Sequence, residues 1–168
     1  MADAALYDLA EKAGRALEAR GLMIATAESC TGGWIAEAIT MIPGSSAWLD
    51  RGFVTYTNEA KREMLGVARE TLERNGAVSE PVVLEMVAGA LKASRAQVAV
   101  AVSGVAGPSG GTPQKPVGTV CFAWGIEGHP PRAETRRLDG DREAVRRQSV
   151  VHVLQVLLDL LREVPQKA

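Results

Sequence analysis

Two stretches of the chain concentrate glycines and hydroxyl side chains, and a third brings a lysine into range of them. The first is Thr26-Ala27-Glu28-Ser29-Cys30-Thr31-Gly32-Gly33. It follows a short apolar run and leads into a helical pattern, so Ser29 falls at a strand-to-helix turn where a hydroxyl nucleophile can meet a ligand. Free backbone N–H groups around Thr31, Gly32 and Gly33 suit a phosphate or a developing oxyanion. The plainer reading is that Ser29 or Thr31 caps the helix and the glycines allow close packing.

The second stretch is Ser103-Gly104-Val105-Ala106-Gly107-Pro108-Ser109-Gly110-Gly111-Thr112, continuing through Lys115 to Gly118. A loop this rich in glycine directly after an apolar strand is expected to carry function. It lacks the Gly-Lys-Ser/Thr of a Walker A loop and the Gly-x-Gly-x-x-Gly of a dinucleotide fold. Its N–H groups and Lys115 can still cradle a single phosphate, which points to a mononucleotide site. A surface loop with turn glycines is the structural alternative.

Between them lies Tyr56-Thr57-Asn58-Glu59-Ala60-Lys61. With Asn58 as a helix cap, Lys61 falls in the first turn, at the same sheet edge as Ser29. A serine with a nearby lysine makes a nucleophile without histidine. The lysine must be neutral to act as base, so its ordinary pKa of ~10.4 has to fall through burial or a neighbouring cation. Tyr56 could relay a proton or hold the lysine, whereas an exposed helix lysine is the bland alternative. Cys30 could be a thiolate at a helix start, but neither His129 nor His152 has an obvious route to it. Arg142, Arg146 and Arg147 open the last helix against its dipole, which suits an anionic partner or a solvated charged face.

The elements that must position these groups follow from periodicity. Leu6, Leu9, Ala13 and Leu17 mark a first helix. Residues 23–27 read as a strand, 34–42 as a helix and 53–56 as a second strand. A helix from Asn58 to Leu65 and a short one over 70–74 come next, then one capped by Ser79. Strands are expected at 97–102, 117–124 and 133–138, and Asp141 caps a final helix. Alternating helices and strands imply an α/β protein. The expectation is a single three-layer α/β/α domain over residues 1–168, with a mixed, largely parallel sheet.

Composition narrows the function. The chain has 168 residues, 19 Lys+Arg against 20 Asp+Glu, and a net charge of -1. That balance argues against a broad nucleic-acid surface. Two cysteines and two histidines make neither a disulfide scaffold nor a three-histidine metal site, so no metal or cofactor is expected. No apolar run approaches the ~20 residues of a membrane span, and Met1-Ala2-Asp3-Ala4 lacks a signal pattern. A cytoplasmic protein without membrane or nucleic-acid partners is expected.

Longer motifs carry a resemblance. Thr-Ala-Glu-Ser-Cys-Thr-Gly-Gly at 26–33, Pro-Gly-Ser-Ser at 43–46 and Arg-Gly-Phe-Val-Thr-Tyr-Thr-Asn-Glu-Ala-Lys at 51–61 resemble the CinA C-terminal domain family. So do Gly-Ala-Val-Ser-Glu-Pro-Val at 76–82, Ser-Gly-Val-Ala-Gly-Pro-Ser-Gly-Gly at 103–111 and Lys-Pro-Val-Gly-Thr-Val at 115–120. The match runs through almost the whole chain. Larger members carry an additional N-terminal domain, and none is expected in a chain of this length. The resemblance implies hydrolysis of the carboxamide of nicotinamide mononucleotide to nicotinate mononucleotide and ammonia, in pyridine-nucleotide salvage. It implies Ser29, Lys61 and Tyr56 as catalytic residues, with Thr31 as the rival nucleophile. Glu28, Thr31, Gly32, Gly33, Ser103, Gly104, Gly107, Gly110, Gly111, Lys115 and Arg142 are the expected substrate-binding residues, and a homo-oligomer is expected. The competing class is a non-catalytic nucleotide-binding module linked to competence or DNA damage.

Overall fold

The computed structural model describes residues 3–165. Its elements, in chain order, are α1 (Ala4–Ala19), β1 (Ile24–Glu28), α2 (Trp34–Thr40), β2 (Leu49–Val54), α3 (Asn58–Leu65), α4 (Arg69–Asn75), α5 (Glu80–Lys92), β3 (Val98–Gly104), β4 (Thr119–Ile126), β5 (Arg132–Arg137) and α6 (Arg142–Glu163). A short 3-10 turn, Ser45–Ala47, precedes β2. The strands form one sheet in the order β2-β1-β3-β4-β5. β1 pairs in parallel with both β2 and β3, while β4 runs antiparallel to β3 and β5 antiparallel to β4. Four strands therefore point one way and β4 alone opposes them.

Residue size along the central strands sets how the two faces are covered. Val98, Val100 and Val102 of β3 pack with Leu6, Leu17, Trp48, Phe122, Leu154 and Leu157 on the face of α1, α2 and α6. Ala99 and Ala101 alternate with them and join Ala25, Ala27, Val83 and Met86 on the opposite face. The small side chains there let α5 lie close, and α3 is drawn in behind it. A Cβ at Gly89 of α5 would collide with the Leu65 carbonyl of α3, so only glycine permits that approach. Lys61 is thereby carried toward the sheet. Central strands buried on both faces read as continuous apolar runs, which is why β1 and β3 were legible. The edge strand β5, Arg-Ala-Glu-Thr-Arg-Arg, is mostly solvent-facing, as suits an unpaired edge.

Several boundaries shift by one or two residues from expectation, and two departures bear on the site. The second strand begins at Leu49 and ends at Val54, because Ile24 of β1 pairs with Leu49 and Glu28 with Val54. Thr55 and Tyr56 follow it, with the Thr55 N–H donating to the Glu28 carbonyl (2.8 Å). The α3 cap is Thr57, whose Oγ1 accepts from Ala60 N at 3.0 Å, and not Asn58.

Candidate active site

Strand parity separates two neighbours in the first motif. Ala25 and Ala27 face α5, so Ser29 continues toward that side, while Glu28 turns toward α2. On β3 the same parity carries Ser103 to the side of Ala99 and Ala101. Two serines thus sit at the C-terminal ends of adjacent parallel strands, the position where open α/β sheets bind ligands. Lys61 arrives from α3.

Lys61 is only 1% exposed and Ser29 8%. The lysine Nζ lies 3.0 Å from Ser29 Oγ and donates to the carbonyls of Thr55 (2.9 Å) and Tyr56 (3.4 Å). No carboxylate accompanies it among the described residues. Burial holds its pKa below the ordinary lysine value, with the Cys30 thiol the opposing influence. Cys30 itself is pushed up to about 11, chiefly by burial, so at neutral pH it is a thiol. The thiolate alternative lacks its reactive form.

The glycine turn behind Ser29 is differently arranged from expectation. The Glu28 carboxylate, fully buried, accepts from Thr31 Oγ1 (2.6 Å), Ile35 N (2.8 Å) and Ala36 N (3.1 Å). The positive end of α2 therefore already holds an anion, the protein's own. Gly32 N donates to the Ser29 carbonyl at 3.0 Å, closing the turn. Glu28, Thr31, Gly32 and Gly33 shape this turn and none lines the cavity in front of Ser29. Thr31 differs from Ser29 in that its hydroxyl is buried against Glu28.

That cavity encloses about 190 Å³ and is lined by Ser29, Cys30, Tyr56, Asn58, Lys61, Ala77, Val78, Ser103, Gly104, Ala106 and Arg142. A second cleft of about 490 Å³ continues it past Ala106 and Arg142 toward Pro108 and Val117. Ser103 is 1% exposed and lines the cavity. Tyr56 contributes in two places. Its carbonyl supports the lysine, while its phenol, on a 59% exposed side chain, accepts from Arg142 Nη2 at 3.1 Å. The expected lysine-holding role thus falls to its main chain. Arg142 Nη1 also donates to the Gly107 carbonyl (2.9 Å), so the guanidinium spans the cavity from Tyr56 to the glycine-rich loop.

Within that loop, Gly104 lines the cavity, whereas Gly107, Gly110 and Gly111 do not. Gly107 has φ +82°, and a Cβ there would strike Val117, so glycine is required by the loop's own packing. Lys115 turns away and donates to the Asn75 carbonyl. The cationic side chain that the last helix brings to the cavity is Arg142, four residues before Arg146 and on the same helical stripe. Arg147 forms a fork with Asp3, at 2.6 and 2.9 Å, far from any ligand role. Asn58, Ala77, Val78 and Ala106 were not singled out as site residues. Ala77 and Val78 lie within the 76–82 motif, and Asn58, the cap expected from the sequence, lines the cavity instead. His152 pairs with Glu134 at 2.7 Å. Among the described residues no group of His, Cys, Asp and Glu comes together to hold a metal, and no helix is long and apolar enough to cross a membrane.

Residues 6–161 match the CinA C-terminal domain. The chain belongs to the CinA C-terminal domain family. The nicotinamide-nucleotide amidohydrolase PncC of Escherichia coli (strain K12) is 57% identical over 94% of this chain and 95% of its own length. The CinA-like protein of Akkermansia muciniphila is 53% identical over 89% of this chain, which spans 36% of that longer protein. Among solved structures, the competence damage-inducible protein A (ComA) from Klebsiella pneumoniae is 42% identical, with a TM-score of 0.92 over 95% of this chain and 99% of that one. The CinA fold thus extends through the whole sheet and every element that touches the cavity.

Proposed function

We propose that this chain hydrolyses the carboxamide of nicotinamide mononucleotide to nicotinate mononucleotide and ammonia, with Ser29 as nucleophile and Lys61 as its base. The observation that carries the reading is the 3.0 Å approach of a buried lysine to a buried serine at a strand end. The name of the Escherichia coli relative supports the substrate.

A neutral lysine has two N–H groups and one lone pair. The Thr55 and Tyr56 carbonyls suit the two N–H groups, which leaves the lone pair directed at Ser29. Lys61 takes the Ser29 proton as Oγ attacks the carboxamide carbon. The resulting oxyanion needs donors. Val105 N donates to Thr119 O (2.8 Å), so by antiparallel alternation the preceding Gly104 N–H turns toward β1 and Ser29. With the Cys30 N–H it makes the oxyanion site of this proposal. Lys61 then returns its proton to the amide nitrogen, the C–N bond breaks and ammonia leaves. Water, deprotonated by the same lysine, cleaves the acyl-serine ester and regenerates Ser29. The cationic pyridinium withdraws electrons from the carbonyl throughout. Arg142 is the countercharge for the ribosyl phosphate, and the pathway served is pyridine-nucleotide salvage.

Purified protein should release ammonia from nicotinamide mononucleotide, and Ser29→Ala should abolish release while the nucleotide still binds. A folded wild type that binds the nucleotide without hydrolysing it would instead establish a non-catalytic module. Loss of activity in Thr31→Val together with an active Ser29→Ala would move the nucleophile.

A further inference from the structure

Arg146 is half-buried on α6, one turn after Arg142, and its side chain touches neither cavity. Its Nε donates to the Cys30 carbonyl (3.0 Å) and its Nη2 to the Thr31 carbonyl (3.2 Å), while the guanidinium lies over the Trp34 ring, 5.4 Å from its centroid. These contacts bridge more than 100 residues of sequence and reach the carbonyls of the two residues directly after Ser29. Between them, Thr31 Oγ1 is held by Glu28. Thr31 is thus gripped at its carbonyl by one charged group and at its hydroxyl by another. The Ser29 carbonyl is tied to Gly32 N.

We propose that Arg146 is a positioning residue for the nucleophile, clamping the Cys30–Thr31 main chain so that Ser29 Oγ stays within reach of Lys61. The inference rests on the Ser29/Lys61 reading for its kinetic consequence, though not for the clamp itself. A planar guanidinium can hold two carbonyls and stack on an indole at once, and an ammonium cannot. With the clamp removed, the turn keeps its Glu28 cap but loses its outer restraint. Misplacement by about 1 Å costs on the order of 100-fold in rate. Because Arg146 does not reach the ligand, binding should be spared.

The test is Arg146→Met, which keeps length and removes the donors, beside Arg146→Lys. Nicotinamide mononucleotide hydrolysis and amide hydrogen exchange are both measured. The expected result is a kcat lower by about tenfold to 100-fold with KM within about threefold. Arg146→Lys should be intermediate, and the pH midpoint of kcat should be unchanged because Lys61 keeps its cradle. Amides 30–33 should exchange faster in Arg146→Met while those of β3 and β4 do not. A raised KM with unchanged kcat would overturn the proposal and make Arg146 a ligand contact. Unchanged exchange at 30–33 would overturn it whether or not the wild type is an amidase, so a failed activity reading is told apart. If Arg146→Met does not fold, Arg146→Lys decides: wild-type kcat and exchange in that variant would likewise refute the clamp.

Discussion

The turn around Ser29 and the loop from Gly104 to Gly118 are both glycine-rich strand ends, yet they are built on opposite plans. In the turn, charged groups hold the backbone from two sides, Glu28 below α2 and Arg146 from α6. In the loop, internal restraint is sparse. Thr112 N donates to the Lys115 carbonyl and Lys115 N to Thr112 Oγ1, and Gly118 N reaches the Val105 carbonyl. Among the described residues, the one charged side chain that hydrogen-bonds into it from elsewhere is Arg142, at Gly107. The difference teaches a division of labour. On the proposed function, bond-making would need the fixed nucleophile of the turn, whereas a phosphate could be met by a loop whose N–H groups are free to turn.

The largest effect should come from the turn's own base. Lys61→Met removes the proposed general base and should lower kcat by about 10²–10⁴-fold, while replacing a buried amine with an apolar side chain of similar length should leave the thermal midpoint equal or higher. The pH dependence follows from the same group. Burial lowers the folded-state pKa of Lys61 below the ordinary value of 10.5. The unfolded chain therefore binds more protons in the interval between the two values, and wild-type stability rises with pH across it. Denaturant unfolding over that interval should show the rise in wild type and its absence in Lys61→Met. The rate, needing neutral lysine, should climb through the lower of the two values.

Next is the loop side of the comparison. Arg142→Gln should raise KM by about tenfold to 100-fold, the range of a lost charge-assisted bond, with a smaller change in kcat. Discrimination between the nucleotide and its dephosphorylated riboside should shrink. Lys115→Ala should leave both substrates almost unaffected. The reverse pattern would return the phosphate to Lys115 and blur the contrast between fixed turn and open loop.

A smaller change is expected in stability. Glu28→Gln keeps the shape but loses charge at the start of α2, and should cost about 1.5–3 kcal/mol by urea unfolding, with kcat falling as the turn loosens. The smallest effect belongs to Gly110→Ala. Its φ of +93° strains any L side chain, but the nearest atom to a new Cβ is Val105 Cγ1 at 3.7 Å. About 1 kcal/mol of stability and near-normal turnover should result. A large loss of turnover there would show that the loop is as tightly specified as the turn.

Much of this was legible in one dimension, because it depends on local pattern. Apolar runs announced β1 and β3, and the hydroxyl and glycine residues after them announced the two strand ends. Ser29 and Lys61 could be paired on paper because strand ends in α/β sheets converge. The boundaries of β2 were not legible, since they follow from register with β1 and not from propensity. The choice between Thr57 and Asn58 as cap was equally hidden. Both side chains suit the role, and one residue of phase decides which faces the cavity.

The amino-acid order by itself determined the layered α/β architecture and the small set of side chains able to do chemistry, because periodicity and turn residues act over a few neighbours. Only the tertiary structure decided what those side chains do. Glu28 became a cap because strand parity turns it toward α2 while Ser29 turns toward α5. Arg142 came to the cavity because α6, packed on the sheet face it shares with α1 and α2, starts beside the glycine-rich loop, while Lys115 became a structural bond to the Asn75 carbonyl. Lys61 lost its water because the α3–α5 contact at Gly89 draws it inward. Each outcome depends on contacts between residues tens of positions apart, and on the desolvation those contacts impose.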